Sequence, residues 1–171
     1  MTGILSNQSI LRLIDGSPPL IHSYLSIDEQ IQPNGFDLTL NCVATLETPG
    51  RVGEIPNDRK VSETSNLSFD EENWLHLPTG SFLITFNEIV SLPLNLMALG
   101  RPRSSLLRSG VAIHTAVWDA GYTGRSQALI NVYHPNGYDM QKNARVMQLV
   151  FMLLDAPTQQ EYDGVYQHEN I

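Results

Sequence analysis

Turn-forming residues cut this chain into short apolar pieces, and that spacing limits its fold more than any other feature. Asn34-Gly35, Pro78-Thr79-Gly80, Pro93, Gly110, Gly121 with Gly124, and Pro135-Asn136-Gly137 all separate runs of strand-forming residues. Proline cannot donate to a sheet ladder, and glycine supplies the backbone angles of tight turns. Phe36-Asp37-Leu38-Thr39-Leu40-Asn41 alternates apolar and polar, which is strand periodicity. Gly80 to Phe86, Val111 to Trp118, Ser126 to Tyr133 and Ala144 to Leu154 read as further strands. Ile89 to Met97 reads as an edge or broken strand because it contains Pro93. Only Leu5 to Ile14 reads as a helix, with Ser6 at its N-cap and Ile10, Leu11 and Ile14 on one face. Leu20 to Gln32 reads as extended, and Thr48 to Asn73 as a polar excursion or hairpin. The pattern predicts an all-β fold, a barrel or jelly roll, with one short N-terminal helix. At 171 residues, 42% of them hydrophobic, a single domain over 1–171 with a sizeable core is expected.

Charge is unevenly spread. The net charge is −8, which argues against general nucleic-acid or acidic-membrane binding. Between Arg101 and Phe151, however, Arg101, Arg103, Arg108, Arg125, Lys142 and Arg145 face only Asp119 and Asp139. Six positive against two negative charges give that segment +4, so the remainder carries −12. A positive island in an acidic chain points to a local polyanion site. Its densest part is Arg103-Ser104-Ser105-Leu106-Leu107-Arg108-Ser109-Gly110. Pro102 fits the start of a short helix or helical turn. Ser104 and Ser105 would then offer hydroxyls and free N–H groups to a phosphate, and Arg103 and Arg108 add planar donor forks. The plainer reading of the same residues is a surface turn with two solvated arginines.

Other classes find little support. Cys42 is the only cysteine, so no intrachain disulfide or cysteine-based zinc site is expected. The N-terminus lacks the pattern of a secretory signal, and no apolar run approaches the length of a membrane span. A cytoplasmic protein is the expectation. The five histidines include no close-spaced metal pair, and the Gly-rich phosphate loop, dinucleotide fingerprint and Gly-x-Ser-x-Gly elbow are absent.

Asp119 is the main catalytic candidate. It follows an apolar strand and opens the turn Asp119-Ala120-Gly121-Tyr122-Thr123-Gly124. A carboxylate there can take a proton from water and direct the nucleophile at phosphorus, while arginines stabilise charge on phosphate oxygens. It can equally cap the turn through the backbone. Tyr122 can stack on a sugar or fill the core, and His114 reads as a core or hairpin histidine. Asp37 either faces solvent or holds a buried arginine or ligand.

These segments, in this order, resemble the family that unites dUTP pyrophosphatases (dUTPases) with dCTP deaminases, in particular its archaeal-type members. Leu5-Ser6, Asn34-Gly35-Phe36-Asp37-Leu38, Arg103 to Gly110, Trp118 to Gly124 and Arg145-Val146-Met147-Gln148-Leu149-Val150-Phe151 carry the resemblance. It implies a distorted β-barrel of the β-clip, dUTPase-like kind, assembled as a homotrimer with sites at subunit contacts. Arg103, Ser104, Ser105 and Arg108 would hold the triphosphate, with Gln148 nearby. His114, Thr115 and Trp118 would line the stretch that reads the base, largely through backbone groups. Tyr122 would pack on deoxyribose, Asp37 would support the site through Arg145 or Arg103, and Mg2+ would be held mainly by the phosphates.

The two branches of that family differ in chemistry. In the hydrolytic branch the acid matching Asp119 activates water, giving dUMP and pyrophosphate. In the deaminating branch a Glu about eight residues after the glycine matching Gly121 shuttles protons. That place is Leu129 here, or Ile130 with one insertion, and no Asp or Glu occurs from Ala120 to Tyr138. The resemblance therefore implies dUTP hydrolysis, with dCTP deamination, a bifunctional dCTP deaminase and dUTPase, or a non-catalytic nucleotide-binding regulator as alternatives. The tail, with Tyr162 and Tyr166 and ending Gln167-His168-Glu169-Asn170-Ile171, lacks the Gly-rich closing motif of the hydrolases and is more deaminase-like. Glu169 would place a negative charge where a phosphate-facing tail favours a neutral or basic one.

Overall fold

The computed structural model describes residues 3–171. In chain order the elements are β1 (Gly3–Ile4), α1 (Asn7–Ile14), β2 (Ile21–His22), α2 (Ile27–Gln30), β3 (Ile31–Gln32) and β4 (Gly35–Leu46). After a 3-10 turn at Pro56–Asp58 come β5 (Thr64–Asn66), β6 (Trp74–Leu77), β7 (Gly80–Phe86), β8 (Ile89–Ser91) and β9 (Leu96–Pro102). Then follow α3 (Ser104–Arg108), β10 (Val111–His114), β11 (Thr123–Gly124), β12 (Gln127–Val132), β13 (Tyr138–Gln141) and β14 (Arg145–Leu153). No helix among the described residues is long and apolar enough to cross a membrane.

The fold is all-β in character, and its centre is β4. The first half of β4 pairs with β14, through Phe36 opposite Leu149 and Asp37 opposite Gln148. Its second half pairs with β7, through Val43 opposite Ile84 and Ala44 opposite Leu83. The register of the second ladder slips between Leu40 and Cys42. Such a slip bends a strand and increases its twist. One long strand therefore serves two ladders, and the nine-stranded sheet, ordered β1-β14-β4-β7-β12-β10 with β3, β5 and β9 branching from it, curls into a distorted barrel. The core fills the inside of the curl with Phe36, Leu38, Leu40, Ile84, Phe86, Ile130, Leu149 and Phe151. Ile10 and Ile14 of α1 join it from one side.

Several elements depart from the sequence expectation. Among the described residues there are three short α-helices, not one. α2 lies inside the stretch read as extended. Its first turn carries Asp28 and Glu29, which suit the positive end of a helix, and Gln30 Oε1 accepts from the N–H groups of Leu25 and Ser26. Ser6 does stand at the N-cap of α1 but makes no side-chain cap bond. The strand read as Val111 to Trp118 stops at His114, and Trp118 bridges to Ala98 instead. The Thr48–Asn73 excursion is a hairpin, tied by an Arg51–Lys60 bridge and by β5 against β4.

Phe151 is fully buried in the second half of β14, opposite Ala98 of β9. Phe151→Ala is expected to lower unfolding free energy by about 3–5 kcal/mol, read as a shift of the urea midpoint without a change in slope.

Candidate active site

Two clusters stand out. The first is built on Asp37, which is only 1% exposed. Arg103 donates from Nη1 to Asp37 Oδ2, and Arg145 Nη1 lies 3.7 Å from the same oxygen. Of the two readings of Asp37, the structure gives the buried arginine partner and not the solvent face. Asp37 Oδ1 is buried without a hydrogen-bond partner. Desolvation, and then repulsion from Arg145, pulls Arg103 below its ordinary range. Both arginines stay about one-third exposed, at 31% and 35%, so their guanidinium groups remain within reach of a ligand.

Helix α3 continues from Arg103. Pro102 closes β9 opposite Met147, rather than opening the helix, and Arg103 takes the N-cap position while its N–H donates to Val146 O. Ser104, Ser105 and Arg108 are exposed on α3, and buried Leu106 fixes the helix to the core. Gly110 follows at φ +72°, a conformation glycine adopts without strain. Gln148 is half-buried beside this cluster, opposite both Asp37 and Arg101. A side chain at Gly35 would strike the Gln148 amide, so the glycine there makes room for it.

The second cluster surrounds a cavity of about 290 Å³ lined by Ala116, Val117, Trp118, Asp119, Tyr122, Ser126, Gln127, Tyr162, Tyr166 and Glu169. Trp118 Nε1 donates to Ser126 Oγ at 2.9 Å, and its backbone exchanges bonds with Ala98. That fixes one wall. Asp119 is exposed at the rim, with its carbonyl accepting from Tyr122 N–H at 3.1 Å. The turn needs Gly121 at φ +85°. Tyr122 is 5% exposed, packs edge-on against Tyr162 at 5.7 Å and donates its hydroxyl to Glu169 Oε1 at 2.9 Å. Burial and the Glu169 charge push Tyr122 far up, so it remains a phenol. Burial raises Glu169 as well, and the Tyr122 bond offsets part of that.

The tail crosses this turn along the same chain. Tyr162 N–H donates to Ala120 O, His168 N–H to Thr123 O, and Arg125 N–H to Glu169 O. Gln167 spans the turn, its Oε1 accepting from Thr123 N–H and its Nε2 donating to Gly121 O. Glu169 thus faces Tyr122, not the arginine cluster.

Of the residues singled out in the sequence, Trp118, Asp119, Tyr122, Tyr162 and Tyr166 share this cavity. Asp37, Arg103 and Arg145 form the other cluster. Neither His114 nor Thr115 lines the cavity: His114 ends β10 in solvent, and Thr115 sits in a shallow depression with Gly100 and Arg101. None of Arg103, Ser104, Ser105, Arg108 or Gln148 borders the Asp119 cavity of the same chain. The sequence reading missed Gln127, which takes β12 to the cavity wall, and Glu88, which is fully buried behind Asp37. A single acid between Phe86-Asn87 and Ile89-Val90 was the available signal for Glu88.

Comparison with known proteins follows the same lines. The family model for dCTP deaminase-like proteins matches residues 4–154. A probable deoxyuridine 5'-triphosphate nucleotidohydrolase of Methanosarcina mazei is 46% identical over 167 residues, 98% of each chain. A relative of the same description from Archaeoglobus fulgidus is 44% identical over 168 residues, again 98% of each. Among solved structures, the 2'-deoxycytidine 5'-triphosphate deaminase of Agrobacterium tumefaciens superposes with a TM-score of 0.65 at 24% identity. That likeness covers 90% of this chain and 49% of the other, so the fold is shared with about half of a longer protein.

Gly121→Ala would place a methyl group against Glu161 while holding a left-handed backbone. The strain is roughly 1–3 kcal/mol. Released tail segments should be cut several-fold faster by chymotrypsin after Tyr162 and Tyr166, as followed by mass spectrometry, while the barrel stays intact.

Proposed function

This chain belongs to the dCTP deaminase-like family, and from that premise we propose that it hydrolyses dUTP to dUMP and pyrophosphate. The observation that carries the reading is Asp119, an exposed carboxylate on the rim of an aromatic-lined cavity. Tyr122 and Trp118 give that cavity apolar walls suited to a deoxyribose and a base. Asp119 takes a proton from water, and the resulting nucleophile attacks the α-phosphorus. The bond from that phosphorus to the bridging oxygen breaks, and pyrophosphate leaves. Arg103 and Arg108, with the hydroxyls of Ser104 and Ser105 and the amide of Gln148, hold the triphosphate and stabilise its charge. Relatives described as deoxyuridine triphosphate nucleotidohydrolases over the full chain length support the substrate.

The positions where a deaminating acid would stand support hydrolysis over deamination. Ile130 is buried in the core, and Leu129 pairs with His114 and Leu83, so neither lines the cavity. Gln127 is the β12 side chain that does, and an amide transfers protons poorly.

We further infer that the working unit is a homotrimer. No residue of the arginine cluster lines the Asp119 cavity of the same chain, and in this reading a complete site takes one cluster from each of two copies. Mg2+ would be held mainly by the phosphates of the substrate. Among the described residues no group of three or more His, Cys, Asp or Glu is placed to hold a metal, whereas the arginine cluster suits a phosphate chain. The ion's chemistry is charge neutralisation on the phosphate oxygens. Work on the deoxynucleotide pool fits a cytoplasmic location.

Asp119→Asn should cut turnover of dUTP by roughly 100-fold or more while leaving dUTP affinity within about threefold. Near-normal turnover would remove Asp119 from the chemistry. Co-refolding Asp119→Asn with Arg108→Ala subunits should restore part of the activity that each lacks alone; no recovery would argue that the site lies within one copy.

A further inference from the structure

Glu88 sits at 0% exposure between β7 and β8, and no part of the chemistry above uses it. Three donors converge on its two oxygens. Thr39 N–H donates to Oε2 at 2.9 Å, while Thr39 Oγ1 and Gln30 Nε2 donate to Oε1 at 2.6 Å and 2.7 Å. Gln30 Nε2 also donates to Asp37 O at 2.8 Å. Asn87 closes the group, its Nδ2 on Thr39 Oγ1 at 2.9 Å and its N–H on Thr39 O at 3.0 Å. The network therefore grips β4 at Asp37 and at Thr39, on either side of Leu38. Thr39 is the residue opposite Arg145 across the β4–β14 ladder. Asp37 carries the contacts to Arg103 and Arg145.

We propose that Glu88 is a positioning residue for triphosphate binding, fixing the 37–39 stretch of β4 so that Asp37 aims Arg103 and Arg145 outward. The inference rests on the reading of the arginine cluster as the triphosphate site. A buried carboxylate that served stability alone would be an inefficient choice, since an apolar side chain avoids the cost of desolvation. Two acceptor oxygens facing three donors demand a carboxylate in particular. A glutamine at this place must turn its NH2 toward a donor, Thr39 N–H in one orientation and Gln30 Nε2 in the other. Glu88→Gln thus keeps shape and volume but loosens the grip on β4.

The test compares ligands that load the two clusters separately, deoxyuridine for the aromatic cavity and inorganic tripolyphosphate for the arginines, with Mg–dUTP engaging both. Isothermal titration of the full chain, with dUTP measured in an Asp119→Asn background where it is not turned over, is expected to show Glu88→Gln losing about tenfold in affinity for tripolyphosphate and dUTP. Deoxyuridine affinity should stay within about twofold, and KM for dUTP should rise with kcat at saturation nearly unchanged. In an Asp37→Asn background the Glu88 change should add nothing further, because its effect runs through Asp37. Undiminished dUTP affinity, equal loss for deoxyuridine and tripolyphosphate, or full additivity with Asp37→Asn would each overturn the assignment. If Glu88→Gln does not fold, Thr39→Val removes the hydroxyl that donates to Glu88 and accepts from Asn87 and should give the same split at smaller size; equal loss for both ligands, or none, overturns it. A wild-type chain that binds neither dUTP nor tripolyphosphate would bring down the phosphate reading, and this inference with it.

Discussion

Asp37 lies inside the sheet as a carboxylate, and a charge in that position is tolerable only while opposite charge touches it. Its two partners come from different places in the chain. Arg103 stands where β9 gives way to α3, and Arg145 opens β14. The pair therefore fastens three segments of the fold to β4 at one point. Removing the acid would leave two guanidinium groups close together with nothing between them, in a region where burial and mutual repulsion already lower Arg103. Everything that gives the arginines a direction follows from that point, including the long shared strand, the register with β14 and the hydrogen bonds behind Asp37.

The rest of the molecule divides its work between charge and shape. On the arginine side, partly exposed guanidinium groups stand on the sheet against a buried carboxylate. On the cavity side, the walls are aromatic rings held by single, specific bonds: Trp118 by Ser126, and Tyr122 by Glu169. A phosphate chain is recognised by donors and charge, whereas a sugar and a base need flat apolar surfaces and a defined depth. In the proposed function these two demands fall to different places on the sheet, the β9–α3 junction and the start of β12.

Much of this was legible in the sequence. Period-two alternation around Phe36 marked β4, and Gly/Pro punctuation marked the turns, because both patterns follow from local backbone preference. The Arg/Ser cluster and Asp119 stood out as chemistry embedded in apolar surroundings. What the sequence could not display was pairing at a distance. Whether Asp37 faced water or an arginine depended on a partner 66 residues away. Glu88 reads as an ordinary acid beside Asn87 until the fold sets Gln30 and Thr39 against it. Helix α2 is held by Gln30, and its short length leaves too little periodicity to detect. Thr115 and His114 lie in the expected stretch but point elsewhere, because the strand ends at His114 and the chain must turn to bring Trp118 beside Ala98.

The tail has a different physical character from the barrel it covers. It is held to the turn by main-chain hydrogen bonds at Ala120, Thr123 and Arg125 and by side-chain bonds from Tyr122, Gln167 and Asn170, with Tyr162 as its chief apolar contact. Segments attached in this way open at a free energy well below that of global unfolding. Amide protons in residues 162–170 therefore exchange on their own clock, faster than those of β4 and β14. Lifting the tail would part Tyr162 from Tyr122 while leaving the strand ladders of the barrel in place.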